Sequence, residues 1–188
     1  RRLFGRTTTS ELKDKFAMTV RDPIGVVGCI TPWNFPIAIP SWKIFPALVC
    51  GNTVVFKPSS DTPRCAIRFV EILEKARVPP GVVNLVTGGG NDVGMSIVKH
   101  KKVRMLSFTG HRDTGAEILK QAGMKKTSLE MGSKNVIIIM DDADLNLALD
   151  GVLWGAFGTT GQRCTATSRV IVNEGLKKKF EQMLTEKA

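Results

Sequence analysis

Short runs of apolar residues recur along the chain, and between them apolar side chains fall at the spacing of helices. The runs predict strands at 26–30, 53–57, 82–86, 105–108, 128–131 and 136–140. Most of the runs lack the alternation of a half-exposed strand, which is typical of a sheet covered on both faces. Strands and helices that alternate in this way predict an α/β fold, with a parallel sheet and helices on both faces.

The helices between these strands are marked by caps, prolines and apolar stripes. Residues 36–50 predict a helix that Pro40 and Pro46 start or interrupt. Thr62 before Pro63 is a good helix start, because a cap residue precedes proline at the first helical position. Its apolar positions are Ala66, Ile67, Val70 and Leu73. A short helix is predicted at 93–99, and the next helix places Ala116, Leu119 and Ala122 on one face.

The two ends of the chain differ in character. Residues 1–20 show no core pattern, although Phe16 and Met18 alternate with polar neighbours as an exposed strand would, so this part is interpreted as an arm. Near the other end, Asp141, Asp142 and Asp144 favour a helix start, and an apolar stripe follows from Leu145 to Ala156, so the helix should end near Gly158. This helix leads the chain to Cys164, and an alternating run follows at 168–172.

Composition narrows the functions that such a fold could serve. The 188 residues have ordinary hydrophobic and charged fractions and no apolar run of about 18 residues, which disfavours disorder and a membrane span. A net charge of +10 could attract nucleic acid, but the basic residues are dispersed and Tyr is absent. We therefore expect neither nucleic-acid binding nor membrane binding, and an anionic cofactor would use the positive field equally well.

The cysteine pattern indicates a reducing environment. Cys29, Cys50, Cys65 and Cys164 are widely separated and form no CxxC pair, so neither a metal site nor a disulfide framework is predicted. A soluble, cytoplasmic protein fits this pattern best. Cys164 could be a small buried hydrophobe or a nucleophile, and its own sequence context does not choose between them.

Polar or glycine residues stand at or just after the ends of the predicted strands. Ligands of parallel α/β sheets bind beyond the carboxyl ends of the strands, so this coincidence predicts a binding site. The residues concerned are Asn34, Lys57, Gly90, Gly110 and Glu130. Each also has a simpler structural interpretation: a turn amide, a surface lysine, two tight turns and a satisfied acid.

Two glycine-rich stretches, 88–94 and 110–115, follow successive strands. Neither is a Walker A loop or a GxGxxG fingerprint, and each alone is better explained as a tight turn. Because both stretches follow successive strands of one sheet, together they favour the binding of a dinucleotide. Backbone N–H groups at a helix start are suited to phosphate binding. The sequence shows neither a convincing Cys-His pair nor a GxSxG elbow, so protease and esterase functions rank low.

Five motifs occur in an order that resembles the aldehyde dehydrogenase superfamily. They lie at 31–36, at 51–52 with 57–59, at 108–110, at 130–132 and at 161–164. The resemblance extends from about Pro23 to the C-terminus. It implies a Rossmann-like NAD(P)-binding sheet, followed by the opening segment of an α/β catalytic domain.

The resemblance assigns catalytic roles to three residues. Cys164 would attack an aldehyde as a thiolate, while the Asn34 amide and the Cys164 backbone N–H hold the oxyanion. After hydride transfer a thioester would remain, and Glu130 would activate the water that hydrolyses it. A covalent intermediate of this kind divides one difficult oxidation into easier steps.

The resemblance also implies the cofactor-binding residues. Lys57 and Ser60 would contact the adenosine ribose, Trp33 would lie along the cofactor, and Gly110 and His111 would lie near the pyrophosphate. The full set is Thr31, Trp33, Lys57, Ser59, Ser60, Gly90, Gly110, His111 and Met131. NAD-preferring members often carry Glu where this chain has Ser60, so we predict that the cofactor is NADP or NAD, with NADP slightly favoured and Lys57 as its counter-charge.

Full members of the family are roughly two and a half times as long as this chain. Residues 1–23 would match part of an oligomerisation arm, 24–134 most of the NAD(P)-binding domain, and 135–188 only the start of the catalytic domain. The complete enzyme would be a homodimer or homotetramer acting on a small aldehyde. The alternative is a nucleotide-binding or assembly module without turnover of its own.

The substrate is not predicted, because segments outside this chain supply much of the family's specificity pocket. Arg163 beside the nucleophile could anchor a substrate carboxylate. A structural ion pair is the preferred interpretation of this arginine.

Overall fold

The computed structural model describes residues 3–188, which form two compact units. The first unit ends at Glu130, and the second is Met131–Ala188. The first contains β1 (Arg6–Thr9), β2 (Phe16–Thr19), β3 (Val26–Ile30), α1 (Ala38–Val49), β4 (Thr53–Lys57), α2 (Pro63–Lys75), β5 (Val83–Leu85), a π-helical turn (Gly90–Gly94), α3 (Met95–Lys99), β6 (Val103–Gly110), α4 (Arg112–Gln121) and β7 (Lys126–Met131). The second contains β8 (Asn135–Ile139), α5 (Leu145–Phe157), a 3₁₀ turn (Gly158–Gly161), β9 (Thr167–Val172), a 3₁₀ turn (Glu174–Leu176) and α6 (Lys177–Lys187).

The first unit is built on a five-stranded sheet in the order β5-β4-β3-β6-β7. The β3–β4, β3–β6 and β4–β5 pairs are parallel, which confirms the predicted sheet. The chain adds β4 and β5 on one side of β3 and then crosses to β6 on the other. The strand order thus reverses between β3 and β6, and ligands of such sheets bind beyond the carboxyl ends at this point.

Helices cover both faces of this sheet, as the apolar runs predict. On one face, Phe56 and Val54 of β4 pack with Ile44 of α1 and Phe69 of α2. On the other, β6 packs against α3 and α4 through Leu106, Phe108, Ile97 and Ile118. Because successive residues of a strand point to opposite faces, a strand buried on both sides must be apolar throughout.

Some of the residues predicted to face the core in α4 and α2 are exposed instead. In α4, Ala116 is exposed and Leu119 is 56% exposed, while Gly115, Ile118 and Ala122 are buried. A stripe displaced by one residue satisfies helical spacing equally well, so periodicity alone does not choose between the two. In α2, Ile67 is exposed, whereas Phe69, which was not among the predicted core positions, is buried.

Two further details differ from the expected helix starts. α2 begins at Pro63, but the Thr62 hydroxyl makes no cap bond and finds no partner among residues 3–188. In α5 the expected cap forms, since Asp144 Oδ1 accepts hydrogen bonds from the backbone N–H groups of Asn146 and Leu147. α5 ends at Phe157, as the sequence predicts.

The strand predicted at 136–140 does not extend the five-stranded sheet. It forms β8, which pairs with β9 in a separate parallel two-stranded sheet. One face of this sheet packs on α5 and α6 through Ile139, Leu149, Val152 and Phe180. The other face exposes Val136, Ile138 and Ile171.

The arm predicted at the start of the chain contains the antiparallel hairpin β1–β2. Phe16 and Met18 are exposed on it, in agreement with the alternating pattern. None of the helices among residues 3–188 is both long enough and apolar enough to cross a bilayer.

Candidate active site

The carboxyl ends of β3, β4 and β6 gather the predicted cofactor residues of the first unit. Thr31 follows β3, Lys57 ends β4, and Gly110 ends β6. The backbone N–H of Thr31 donates to the carbonyl oxygen of Lys57 at 3.1 Å, which joins the first two strand ends. These positions lie around the point where the strand order reverses, where the topology places a ligand.

A buried hydroxyl at this edge lacks a protein partner. Thr31 is 4% exposed, and its Oγ1 makes no hydrogen bond with any residue from 3 to 188. An unsatisfied buried hydroxyl costs free energy, so a site that leaves one unpaired is suited to a polar ligand. After β5, the backbone is open at Gly90, where an added methyl group would meet no atom within 4 Å. Both observations fit a nucleotide cofactor.

Lys57 ends β4, as predicted, and its amine is buried. Its side chain is 4% exposed, and Nζ donates to the carbonyl oxygen of Pro58 at 2.9 Å. Burial lowers the pKa of this amine, because a charged group is costly away from water. The side chain runs past Gly94 of the glycine-rich stretch, with Cδ and Cε 3.7 Å from the position that a Cβ would take there, and its contact with a cofactor ribose stays a prediction.

The turn after β4 holds the residues predicted to choose between NAD and NADP. Ser60 Oγ donates to the carbonyl oxygen of Gly88 at 3.2 Å, which ties this turn to the glycine-rich stretch. Ser59 Oγ donates to Asp61 Oδ2 at 2.9 Å. The sequence reasoning overlooked Asp61, an exposed carboxylate whose charge would oppose a 2′-phosphate nearby.

The remaining cofactor candidates lie at exposed or capping positions. His111 caps α4, since the backbone N–H of Asp113 donates to its Nδ1 at 3.3 Å. This bond occupies one donor at the helix start and explains the presence of an acceptor at position 111. Trp33 and Met131 expose large apolar surfaces, and Gly110 ends β6 beside His111.

Glu130 lies in a small polar cluster at the end of β7. Thr109 Oγ1 donates to Glu130 Oε2 at 3.3 Å. On the same face of β6, Lys43 of α1 donates from Nζ to Ser107 Oγ at 3.2 Å. Burial lowers the pKa of Lys43, and attraction to the Glu130 carboxylate opposes that shift. The candidate base is thus exposed to solvent, while the groups beside it are buried.

Lys43 is the residue in this cluster that the sequence reasoning missed. A signal was present, because Lys43 is the only charged residue in the apolar stretch 36–50. Asn34, by contrast, lies where it was expected, half-buried in the bend between β3 and α1.

The second unit carries Cys164, which is exposed on an irregular segment between α5 and β9. Asn135 Nδ2 donates to the carbonyl oxygens of Cys164 at 2.6 Å and Ala166 at 3.1 Å. Sequence reasoning did not identify Asn135. The thiol is thus accessible from solvent, and the backbone that carries it is held by hydrogen bonds.

Arg163 does not form the structural ion pair that the sequence favoured. Its Nη2 donates to the carbonyl oxygens of Trp154 at 2.7 Å and Gly155 at 3.1 Å, at the end of α5. The guanidinium also lies over the Trp154 ring, with Cζ 5.2 Å from the centroid. Among residues 3–188 no carboxylate lies within ion-pair distance of it.

The structure therefore places the candidates in two groups, one in each unit. Glu130 is grouped with Thr109 in the first unit, together with the cofactor edge, and Cys164 is grouped with Asn135 and Arg163 in the second. All four cysteines are free thiols. No cluster of three or more His, Cys, Asp or Glu side chains suited to a metal occurs in the described part of the chain.

A family model described as the aldehyde dehydrogenase family matches residues 1–188. The α-ketoglutaric semialdehyde dehydrogenase of Bacillus subtilis (strain 168) is 48% identical over 186 residues, which are 97% of this chain and 38% of that protein. Two solved structures are similar as well. A betaine aldehyde dehydrogenase from Staphylococcus aureus in complex with NAD⁺ has a TM-score of 0.94 at 44% identity, over 97% of this chain and 36% of that one. An NADP-dependent enzyme of E. coli has a TM-score of 0.95 at 40% identity, over 98% of this chain and 39% of that one.

Each of these similar proteins is much longer than this chain. This chain spans less than two fifths of the length of each of these three proteins.

Proposed function

Because the chain belongs to the aldehyde dehydrogenase family, we propose that it carries the cofactor edge and the nucleophile of an enzyme that oxidises an aldehyde to a carboxylic acid with NAD(P)⁺. The observation that carries the proposal is the exposed Cys164 on a segment whose backbone is held by Asn135 and Arg163. A cysteine that packed as a small hydrophobe would be buried, as Cys29 is.

Cys164 is proposed to act as the nucleophile. Its thiolate attacks the carbonyl carbon of the aldehyde, a C–S bond forms, and the carbonyl oxygen becomes an oxyanion. The side-chain amide of Asn34 and the backbone N–H of Cys164 donate to that oxygen, and such donors act strongly in a site shielded from water. Bound NAD(P)⁺ supplies the acceptor for the hydride that leaves the same carbon.

Glu130 is proposed to act in the second half of the reaction. The thioester on Cys164 is hydrolysed by a water whose proton Glu130 accepts, so that the carboxylic acid leaves and the thiolate is restored. The bond from Thr109 to Glu130 Oε2 leaves Oε1 available as the accepting atom in this arrangement. Glu130 is solvent-exposed in this chain, which suits a group that must receive its proton from water.

For the cofactor, we propose that Thr31 and the glycine-rich turns hold a dinucleotide, and that both NAD and NADP are accepted. Support comes from the unpaired Thr31 hydroxyl and the absence of a carboxylate at Ser60. Similar structures include one with NAD⁺ and one described as NADP-dependent. Fluorescence titration of the chain with NADH and NADPH tests this, and a tenfold or larger preference for NADH would contradict acceptance of NADP.

The proposed enzyme is cytoplasmic, where a reducing environment keeps Cys164 as a thiol, and it assembles as a homodimer or homotetramer. The exposed apolar residues of the β1–β2 hairpin support assembly, because a lone two-stranded hairpin is marginally stable in water. Light scattering of the protein at several concentrations measures its mass in solution. A mass of one chain at all concentrations would contradict the proposal.

The direct test is the formation of NAD(P)H in the presence of an aldehyde. Two aldehydes of opposite charge, α-ketoglutaric semialdehyde and betaine aldehyde, form a useful panel because each is named as the substrate of a similar protein. Turnover that disappears in Cys164→Ala and persists in Cys50→Ala, a matched change at another exposed thiol, supports the mechanism. Turnover retained in Cys164→Ala refutes it.

A second candidate is a nucleotide-binding or assembly module without turnover. The observation that favours it is the uncovered apolar face of the β8–β9 sheet at Val136, Ile138 and Ile171. If the 188-residue chain binds NAD(P)H but forms none from any aldehyde, this second function describes the chain alone.

A further inference from the structure

The segment that carries Cys164 has an unusual backbone. Thr159, Thr160 and Gly161 follow one another with positive φ angles of 55°, 53° and 68°. Left-handed conformations are rare for β-branched residues and cost on the order of 1–3 kcal/mol each. Such a segment keeps one conformation only where contacts from elsewhere in the fold hold it.

Asn135 supplies the contacts on the C-terminal side of the nucleophile. It is the first residue of β8, and its side-chain amide donates to the carbonyl oxygens of Cys164 at 2.6 Å and Ala166 at 3.1 Å. An amide nitrogen carries two N–H groups, so both of its donors are in use. Because both partners are carbonyl oxygens, only the nitrogen end of the side chain can make these bonds.

A second set of bonds runs in the opposite direction, from β9 to the residue before β8. Arg169 of β9 donates from Nε at 3.2 Å and from Nη2 at 2.7 Å to the carbonyl oxygen of Lys134. The register pairs Asn135 with Thr167 at the start of the β8–β9 ladder. The register shifts between Asn135 and Val136, so Asn135 stands at an irregular end of the ladder, where its side chain connects the start of β8 to the peptide of Cys164.

On the N-terminal side, Arg163 binds the end of α5 through the carbonyl oxygens of Trp154 and Gly155. Cys164 consequently lies between two anchors, its own carbonyl and the side chain of the residue before it. The thiol itself remains exposed. This arrangement restricts the backbone of the nucleophile while it leaves Sγ accessible.

We propose that Asn135 is a positioning residue for the nucleophile. By holding the Cys164 carbonyl, it sets the direction in which the thiolate and the neighbouring backbone N–H meet an acyl group. The inference rests on the proposed function, in which Cys164 forms the covalent intermediate. A misplacement of about 1 Å can slow such a reaction on the order of 100-fold, even when the altered residue touches no substrate.

The test uses acyl transfer from p-nitrophenyl acetate, which needs neither a nicotinamide cofactor nor hydride transfer. The thiolate attacks the ester carbonyl, a C–S bond forms, and the C–O bond to p-nitrophenolate breaks. Mass spectrometry of peptides after short reaction times gives the acylation rate of Cys164. It also gives the rate of Cys50, an exposed thiol of the first unit that serves as a control within each molecule.

Asn135→Asp keeps the shape of the side chain and removes both donors. Cys164 acylation in this variant is expected to fall on the order of 100-fold relative to Cys50. Asn135→Ser retains a hydroxyl donor, so it is expected to restore part of the rate. Asn146→Asp, the same change at an exposed asparagine of α5, is the matched control and should leave the rate unchanged.

The outcomes separate this inference from the proposed function. The positioning role of Asn135 is overturned if Cys164 is acylated at equal rates in Asn135→Asp and in the unaltered chain. It is also overturned if Cys164 of the unaltered chain is acylated no faster than Cys50. Circular dichroism checks folding, and if Asn135→Asp does not fold, Asn135→Ala is compared with Asn135→Ser in its place. Aldehyde oxidation that survives Cys164→Ala refutes the proposed function by a separate measurement, whatever the acylation rates are.

Discussion

Replacement of Arg163 by methionine distinguishes a structural residue from a substrate anchor. Methionine keeps a long, flexible side chain but removes the guanidinium. Arg163 directly precedes the candidate nucleophile. In the structure its guanidinium donates to two carbonyl oxygens at the end of α5 and stacks on Trp154. We therefore expect Arg163→Met to destabilise the second unit and to disturb Cys164 for every substrate alike.

The size of the effect follows from the contacts that are lost. Two hydrogen bonds at a partly exposed site contribute about 0.5–1.5 kcal/mol each, and a cation–π contact with an exposed ring contributes about 0.5–1 kcal/mol. Against this, Nε of Arg163 is buried without a partner among residues 3–188, and its removal recovers about 1 kcal/mol. The expected net loss in the free energy of unfolding is about 0.5–3 kcal/mol.

Urea denaturation followed by far-UV circular dichroism measures the loss. Trp154 is one of three tryptophans, so its environment is followed by the difference in tryptophan fluorescence between the variant and the unaltered chain. Arg163→Lys is the matched control, since it keeps the charge and N–H donors but removes the planar guanidinium that stacks on Trp154. Where aldehyde oxidation is measured, a substrate anchor predicts a rise in KM for a carboxylate-bearing aldehyde and none for betaine aldehyde. That selective rise, with unchanged stability and unchanged fluorescence, would refute the structural reasoning.

Three further predictions concern buried ionisable groups and the cofactor edge. Burial lowers the pKa of Lys43, so its charge costs folding free energy at neutral pH, and this cost disappears as pH rises towards the unfolded value of 10.5. Lys43→Met should therefore raise the free energy of unfolding at pH 7 and lose that advantage near pH 10. Urea denaturation at both pH values measures this, and a larger gain at pH 10 than at pH 7 would contradict the reasoning. Burial raises the pKa of the Cys29 thiol to about 12, with a smaller opposing effect from Lys43, so its contribution to stability is complete below pH 9.0 and is lost as pH rises towards 12. Iodoacetamide at pH 9 should modify Cys50 and Cys164 in the native chain but Cys29 only in urea, and peptide mass spectrometry would reveal any native labelling of Cys29. Asp61→Asn removes a carboxylate next to Ser59 and should strengthen NADPH binding a few-fold while leaving NADH within twofold; equal changes for the two cofactors in fluorescence titrations would argue against a role for this charge.

The strands of the first unit could be predicted because each strand is itself a run of apolar residues. β3 and β4 occupy 26–30 and 53–57, as their apolar runs predict, and the Asp144 cap starts α5 where expected. Hydrophobic periodicity and capping depend on neighbours only a few residues away, so a single sequence contains them. The family followed from the order of five motifs, which the comparisons confirm.

Contacts between distant residues decided the rest. Lys43 lies 64 residues from its partner Ser107, and Asn135 lies 29 residues from Cys164, so no local pattern pairs them. The sequence by itself determined where the strands and most helices form, and which residues carry reactive groups. Only the tertiary structure decided that Lys57 turns onto Pro58, that Arg163 serves the end of α5, and that Asn135 holds the peptide of the cysteine. The physical reason is that a side chain satisfies its polar atoms with whichever groups the fold brings near, and these are set by packing over the whole unit.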